Sequence, residues 1–158
     1  MAIIIQRLED SQIEAAKSVI RDGCLEFFGE PPLEFRDMDE ISAQYSEPSG
    51  IFLVLMDGER VVGTGAIRRL DERTCELKRM WLLPAYRKKG HGGRICARLL
   101  QFACTAGYER IRLDTASELA DAKLFYERLG FYPIDRYNDG PATIFMEKRL
   151  QQAQEPCR

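Results

Sequence analysis

The sequence predicts a mixed α/β domain with a mostly antiparallel sheet, and three patterns support this. Three apolar strand patterns follow one another across residues 51–82, with an Asp57-Gly58 turn between the first two, as in an antiparallel meander. A helical pattern over residues 92–106 is followed by a strand at residues 110–114, and this order implies a parallel crossover. The 158 residues, 45% of them apolar, suit one domain with its own core.

The N-terminal third predicts one strand and two helices. A strand over residues 3–8 precedes a helix over residues 12–21, for which Gly23 is the expected stop. The acidic segment of residues 22–47 carries eight acids against one base, and we expect a second short helix near residues 38–45. This helix would complete the N-terminal region.

The rest of the chain predicts the main sheet. Its strands are expected at residues 51–56, 61–70, 74–82, 110–114, 131–134 and 142–148, with a further helix at residues 118–129. Gly63 and Gly65 in the second meander strand are expected either to weaken it or to let another group approach closely. Six to seven strands and about four helices then form a single domain over residues 1–150, followed by a polar tail at residues 151–158.

The composition argues against several classes of protein. Five cysteines without a C-x-x-C pair, together with one histidine, predict free buried thiols and no metal site. No apolar run reaches the length of about 20 residues that spans a bilayer. The N-terminus lacks a charged segment before its apolar run, so we expect no signal peptide and a cytoplasmic location.

Charge is unevenly distributed along the chain. Residues 77–108 hold seven bases and no acid, although the net charge of the whole chain is −2. A basic island on an acidic protein predicts a specific anionic ligand, whereas a nucleic-acid-binding protein is more often basic overall. We therefore expect no nucleic-acid partner.

The most informative segment is residues 87–93, Arg-Lys-Lys-Gly-His-Gly-Gly, directly before the helical pattern. Cations, glycines and a helix N-terminus together suit a diphosphate. A Walker A loop would need Lys-Ser/Thr after its last glycine, which is absent. A dinucleotide fingerprint would need a glycine where Ile95 stands, although Asp114 lies at about the offset of a ribose-binding acid.

The remaining pattern, R-x-x-G-x-G, is met by Arg87 to Gly92. Here the chain resembles the GCN5-related N-acetyltransferase (GNAT) superfamily. Cys75 to Leu83 resembles the fourth strand of that family, and the Tyr126-Glu127-Arg128-Leu129-Gly130-Phe131 segment resembles its "Y-E-x-x-G-F" motif. The order and spacing match across roughly residues 50–148.

The resemblance implies a sheet that splays between its fourth and fifth strands, and acetyl transfer from acetyl-CoA to an amine by direct attack. It implies Tyr126 as the general acid that protonates the CoA thiolate, with packing in the core as the alternative. Glu76 is the corresponding candidate for general base through water, with an ion pair to Lys78 or Arg68 as the alternative. Its face of the strand is expected to hold Lys78, Met80 and Leu82.

The resemblance also implies the residues that bind the cofactor. They are Met80, Trp81, Leu82, Leu83, Arg87, Lys88, Lys89, Gly90, His91, Gly92 and Gly93, with Ser117 as a substitute for a family asparagine that is Leu119 here. A homodimer is common in the family. A catalytically silent acyl-CoA-binding module is the alternative function, since it needs the glycine loop but not Tyr126.

The acceptor amine is left open by the sequence. The acidic segment of residues 22–47 would suit a cationic amine, or it could be a solvated helix face. Arg68, Arg69 and Arg79 could equally hold an acceptor carboxylate.

Overall fold

A seven-stranded mixed sheet organises the chain in the computed structural model, which describes residues 2–32 and 35–151. The strands are β1 (Ile3–Arg7), β2 (Ile51–Asp57), β3 (Arg60–Arg69), β4 (Thr74–Leu82), β5 (Arg110–Thr115), β6 (Tyr132–Pro133) and β7 (Ile144–Arg149). Their order is β1-β2-β3-β4-β5-β7-β6. Among these described strands only β4 and β5 pair in parallel, as the strand–helix–strand pattern predicts.

The helices lie on both faces of this sheet. They are α1 (Ile13–Phe28), α2 (Arg36–Asp39), α3 (Ile41–Gln44), α4 (His91–Thr105) and α5 (Ala120–Arg128). The second helix expected near residues 38–45 is therefore two single turns, α2 and α3. Glu34 and residues 152–158, most of the predicted polar tail, lie outside the described part of the chain.

Gly23 does not end the first helix, so that expectation was wrong. The helix continues to Phe28 and ends at Gly29, whose φ of 75° is the left-handed conformation that glycine adopts readily. Gly23 serves packing instead, because a Cβ at this position would lie 2.3 Å from the Trp81 ring. A glycine inside a helix can mark such an approach rather than a stop.

Two apolar cores lie on opposite faces of the sheet. One packs α4 and α5 against the sheet around Ile95, Leu99 and Ile111. The other packs α1 against it around Ile20 and Val54. These cores fix the sheet from both sides and leave its β4–β5 region to form the site.

Gly65 of β3 confirms the predicted close approach. A Cβ there would lie 2.7 Å from both Ile95 Cγ2 and Met80 Sδ, so only glycine lets α4 and β4 pack this closely. The absence of this side chain therefore helps to place α4, which carries the glycine loop at its start.

The cysteines differ in part from the expectation of free thiols. Cys24, Cys75 and Cys96 are free and buried, whereas Cys104 takes part in a disulfide bond. Within residues 2–32 and 35–151, no group of three or more metal-binding side chains occurs. None of the helices in those ranges is long and apolar enough to cross a bilayer.

Candidate functional site

The sheet forks between β4 and β5. The two strands pair from Thr74 to Glu76 on β4 and from Arg110 to Arg112 on β5. Beyond Glu76, β4 continues to Leu82 and, among the described strands, is in register with β3 alone. One edge of β4 therefore has backbone groups that are free to bind an extended ligand, because a strand edge without a partner leaves its N–H and C=O groups unpaired.

A bulge in β4 marks the fork. Arg79 has a φ of 58°, the left-handed conformation, and the register between β3 and β4 shifts between Thr64 and Ala66. The Thr64 hydroxyl donates to the Arg79 carbonyl at 2.6 Å and holds the bulge in place. Bulges of this kind re-aim side chains, and they are common beside active sites.

The bulge corrects the expected face of β4. Glu76, Lys78, Met80 and Leu82 were expected on one face, by strict alternation. Met80 and Leu82 instead pack against the α4 core, while Trp81 packs on the α1 side. The extra residue at Arg79 reverses the alternation after it, so that Lys78 and Trp81 share a face.

The glycine loop follows directly and ends at the N-terminus of α4. Lys88 and Gly90 have φ values of 60° and 86°, and Gly90 is the N-cap of the helix. Lys88 and Lys89 are exposed. A Cβ on Gly93 would meet no atom within 4 Å, so open space lies beside the first turn of the helix. Free N–H groups, the helix dipole and nearby ammonium groups suit an anion at this position.

Arg87 is held by α1. Its terminal nitrogens donate to both carboxylate oxygens of Glu26, at 2.7 and 2.9 Å, and its Nε donates to the Leu82 carbonyl at 3.0 Å. The guanidinium also lies 5.0 Å from the centre of the Phe27 ring. All three nitrogens of the side chain thus have protein partners, and Arg87 links the loop to α1 and to the end of β4.

Gly92 and His91 are the other candidate cofactor-binding residues of the loop. A Cβ on Gly92 would lie 3.7 Å from Leu82 and 3.8 Å from Phe125, so this glycine faces β4 and α5. His91 begins α4, and its Nδ1 lies 3.3 Å from a terminal nitrogen of Arg94.

The remaining predicted cofactor-binding positions lie at the start of α5 and at the end of β4. Ser117 is exposed before α5, and its hydroxyl donates to Glu118 at 3.2 Å. Leu119 occupies the N-cap of α5 without a side-chain hydrogen bond, as expected where an apolar residue replaces an asparagine. Leu83 follows β4 and contacts both cores.

Tyr126 lies on α5 within an aromatic group. Its ring centre is 5.4 Å from that of Phe125 and 5.7 Å from that of Phe131, with edge-on geometry in both pairs. Burial raises the pKa of the Tyr126 hydroxyl well above its ordinary value. The phenol is consequently protonated at neutral pH, and it is a weaker acid than an exposed tyrosine.

Glu76 lies at the vertex of the fork and is almost fully buried, with 1% of its side chain exposed. One carboxylate oxygen accepts from Arg68 Nε at 2.8 Å, and the other accepts from the Tyr137 hydroxyl at 2.6 Å. The ion pair that the sequence offered as the alternative is thus present with Arg68, while Lys78 is farther away at 4.0 Å. A base role through water remains compatible with this position.

Two further features of the site were missed by sequence reasoning. Asp37 of α2 receives two hydrogen bonds from Arg79, at 2.6 and 2.9 Å, and a third from Tyr45 at 2.5 Å. Tyr137, between β6 and β7, reaches Glu76. In the sequence, Asp37 stood out only as a member of the acidic segment, and no pattern pointed to Tyr137. Their partners, Arg79 and Glu76, are distant in sequence, so local patterns do not reveal these contacts.

Comparison with known proteins identifies the class. A model of the acetyltransferase (GNAT) family matches residues 18–131. The chain is 35% identical over 102 residues to the uncharacterized N-acetyltransferase YjgM of Escherichia coli K12, a match covering 63% of this chain and 61% of that protein. The chain thus spans about three fifths of the length of that relative.

Solved structures share the fold. A GNAT-family acetyltransferase of Staphylococcus aureus superposes with a TM-score of 0.86 at 23% identity, over 95% of this chain and 100% of that one. The PaiA N-acetyltransferase of Thermoplasma acidophilum, solved with coenzyme A, superposes with a TM-score of 0.75 at 22% identity, over 94% and 99%.

The forked sheet is the fold that this chain shares with the solved acetyltransferases. The chain belongs to the acetyltransferase (GNAT) family, whose model matches residues 18–131. The dinucleotide alternative was wrong, because the sheet is mostly antiparallel and not doubly wound. Asp114, the residue at the offset of a ribose-binding acid, instead accepts a hydrogen bond from Asn138 at 2.8 Å.

Proposed function

We propose that this protein transfers the acetyl group of acetyl-CoA to a primary amine by direct attack in a ternary complex. The observation that carries the proposal is the fork. After Glu76, β4 no longer pairs with β5, and the strand continues to Leu82, shortly before the glycine loop. This arrangement provides an open strand edge for pantetheine and, a few residues farther along the chain, a helix N-terminus for the diphosphate.

The residues present fit this co-substrate. Gly90, Gly92 and Gly93 would bring the backbone of the loop close to the diphosphate, and Lys88 and Lys89 would add charge. The backbone of Met80 to Leu83 would pair with pantetheine. The T. acidophilum structure supports this assignment, since its similar fold contains coenzyme A. Arg87 would act through the loop, because its nitrogens already bind Glu26 and Leu82.

The reaction balances with few protein groups. The amine nitrogen forms a bond to the thioester carbonyl carbon, and the carbon–sulfur bond breaks with its electron pair on sulfur. The amine gives up one proton, and the thiolate takes one. Tyr126 would be the proton donor to the thiolate, since burial keeps its hydroxyl protonated until the thiolate forms. Glu76 would receive the amine proton through water, with Arg68 and Tyr137 holding the carboxylate.

A thermal shift experiment tests the first half of the proposal. Acetyl-CoA at millimolar concentration should raise the melting temperature, because a ligand that binds only the native state stabilises it. An adenine nucleotide without pantetheine should raise it less. No shift with acetyl-CoA would overturn the proposed function.

A further inference from the structure

The vertex of the fork holds a group of polar side chains, which we call the fork cluster: Arg68, Glu76, Lys78, Arg112 and Tyr137. Glu76 is in register with Arg68 on β3 and with Arg112 on β5, so these three share one face of the sheet. Lys78 lies two residues farther on the same face, before the bulge. Tyr137 covers the cluster, with its hydroxyl on Glu76 and its ring 5.5 Å from the Arg112 guanidinium.

The carboxylates in and around the fork cluster already have partners. Both oxygens of Glu76 accept hydrogen bonds. Glu147 accepts from Arg112 Nε at 2.8 Å and from Tyr132 at 2.7 Å. Asp37 is held by Arg79 and Tyr45, and Asp114 by Asn138. Each of these carboxylates is already held by a donor or a cation, so it attracts an incoming ammonium group less strongly than a free carboxylate would.

The cations of the fork cluster, by contrast, have donors to spare. Arg68 and Arg112 each use only Nε, so in the part of the chain that the structure describes their terminal nitrogens have no hydrogen bond. The Lys78 ammonium lies 4.0 Å from its nearest carboxylate oxygen, on Glu76. These side chains are between 22% and 29% exposed, so a ligand can reach them.

Three acids of the acidic segment have partners outside the fork cluster. Glu26 binds Arg87, Asp39 binds Lys17 and Glu47 binds Arg7. These acids are therefore neutralised by pairs that lie outside the fork cluster. Arg79 has less to offer a carboxylate, because two of its three side-chain nitrogens already donate to both oxygens of Asp37.

We infer that the acceptor is an amine that also carries a carboxylate, and that Arg68 and Lys78 bind this carboxylate at the vertex of the fork. The inference rests on the proposed function and names the substrate class of the same site. Spare guanidinium and ammonium donors are the groups that bind carboxylates most strongly. Lys78 lies just before the bulge, on the same face as Glu76, the proposed base for the amine proton, so the carboxylate would lie near the reacting amine, as in an amino acid.

The test is a panel of matched acceptors with acetyl-CoA, reading thiol release. Each set contains an L-amino acid, its carboxamide and the amine that remains after decarboxylation. We expect kcat/KM to be at least about tenfold higher for the amino acid that is turned over best than for its two matched amines. Equal or faster turnover of the amines, or turnover of no amino acid, would overturn the inference. The proposed function would fail separately, by absence of the acetyl-CoA thermal shift.

Lys78→Met then tests the residue itself, because it keeps an unbranched apolar stem without the ammonium group. The KM for the amino acid should rise about tenfold, while the KM for its carboxamide and for acetyl-CoA should stay the same. Lys78→Arg should restore most of the preference. Lys123→Met, on the exposed surface of α5, is the matched control and should change none of these values. An unchanged KM in Lys78→Met would overturn the assignment.

Discussion

At the scale of single residues, Tyr126 is the proton donor that we propose. The side chain is 7% exposed, and burial keeps its pKa above 10.0, the ordinary value for tyrosine. The rings of Phe125 and Phe131 pack against the Tyr126 ring and do not involve its hydroxyl. The role in packing and the role in catalysis are therefore compatible, because they use different parts of the same side chain.

Tyr126→Phe should separate the enzyme from a silent coenzyme A-binding module. We expect kcat to fall about 100-fold, the range lost when a general acid is removed, with the acetyl-CoA thermal shift nearly intact. Steady-state kinetics with acetyl-CoA and an accepted amine measure this. Because the raised pKa keeps the phenol protonated, kcat of the wild type should not decline below about pH 10 through this group.

Tyr108→Phe is the matched control for this substitution. Tyr108 is also buried, but its hydroxyl donates to the Ser49 carbonyl at 2.6 Å and has no place in the proposed reaction. The control should cost about 1 kcal/mol of unfolding free energy and leave kcat unchanged. Equal kcat in Tyr126→Phe and the wild type would instead favour the silent module.

At the scale of elements, the glycine loop and the first turn of α4 form one structural unit. Gly90 ends the loop in a left-handed conformation that other residues adopt only with strain. Gly93 is different, because it lies inside the helix and faces open space. A glycine there costs helix stability, so its use is better explained by a ligand that must approach the backbone.

Gly93→Ala tests this explanation. The added methyl group should raise the KM for acetyl-CoA about tenfold by displacing the diphosphate, while helix propensity adds up to about 1 kcal/mol of stability. Kinetics and urea unfolding on the same sample measure both quantities. Ala97→Gly, at an exposed position of the same helix, should lower the stability and leave the KM unchanged. An unchanged KM for acetyl-CoA in Gly93→Ala would show that Gly93 does not contact the co-substrate.

At the scale of the whole molecule, Asp37 joins the N-terminal helices to the fork. Its partner Arg79 is the bulge residue of β4, 42 residues away in sequence. Burial would raise the pKa of the Asp37 carboxyl, but Arg79 and Tyr45 outweigh burial and lower it from 3.8 to about 2. The ion pair therefore holds α2 and α3 against the sheet and helps to keep the bulge in its conformation.

Asp37→Asn should lower the unfolding free energy by about 2 kcal/mol at pH 7, since one pKa unit corresponds to about 1.4 kcal/mol. The folded pKa is below the unfolded value, so this stabilisation is complete above about pH 4 and is lost as the pH falls towards 2. Urea unfolding across this range should show the gap between variant and wild type closing. Asp39→Asn, in an exposed pair with Lys17, should cost less than about 1 kcal/mol at every pH.

Sequence alone determined the strands, the main helices, the glycine loop and the family. These features depend on local periodicity, turn chemistry and short motifs, which residues near one another in sequence encode. The sequence also placed Glu76 and Tyr126 as candidates, and their roles stay predictions.

Only the tertiary structure decided which side chains meet at the site. Arg87 binds Glu26 and Tyr137 binds Glu76, and each pair is separated by 61 residues. The bulge at Arg79 depends on Thr64 of the neighbouring strand and reverses the faces that alternation predicts. Such contacts arise because strands and helices pack in one fixed arrangement, so the free donors of the fork cluster become apparent only once every partner is in place.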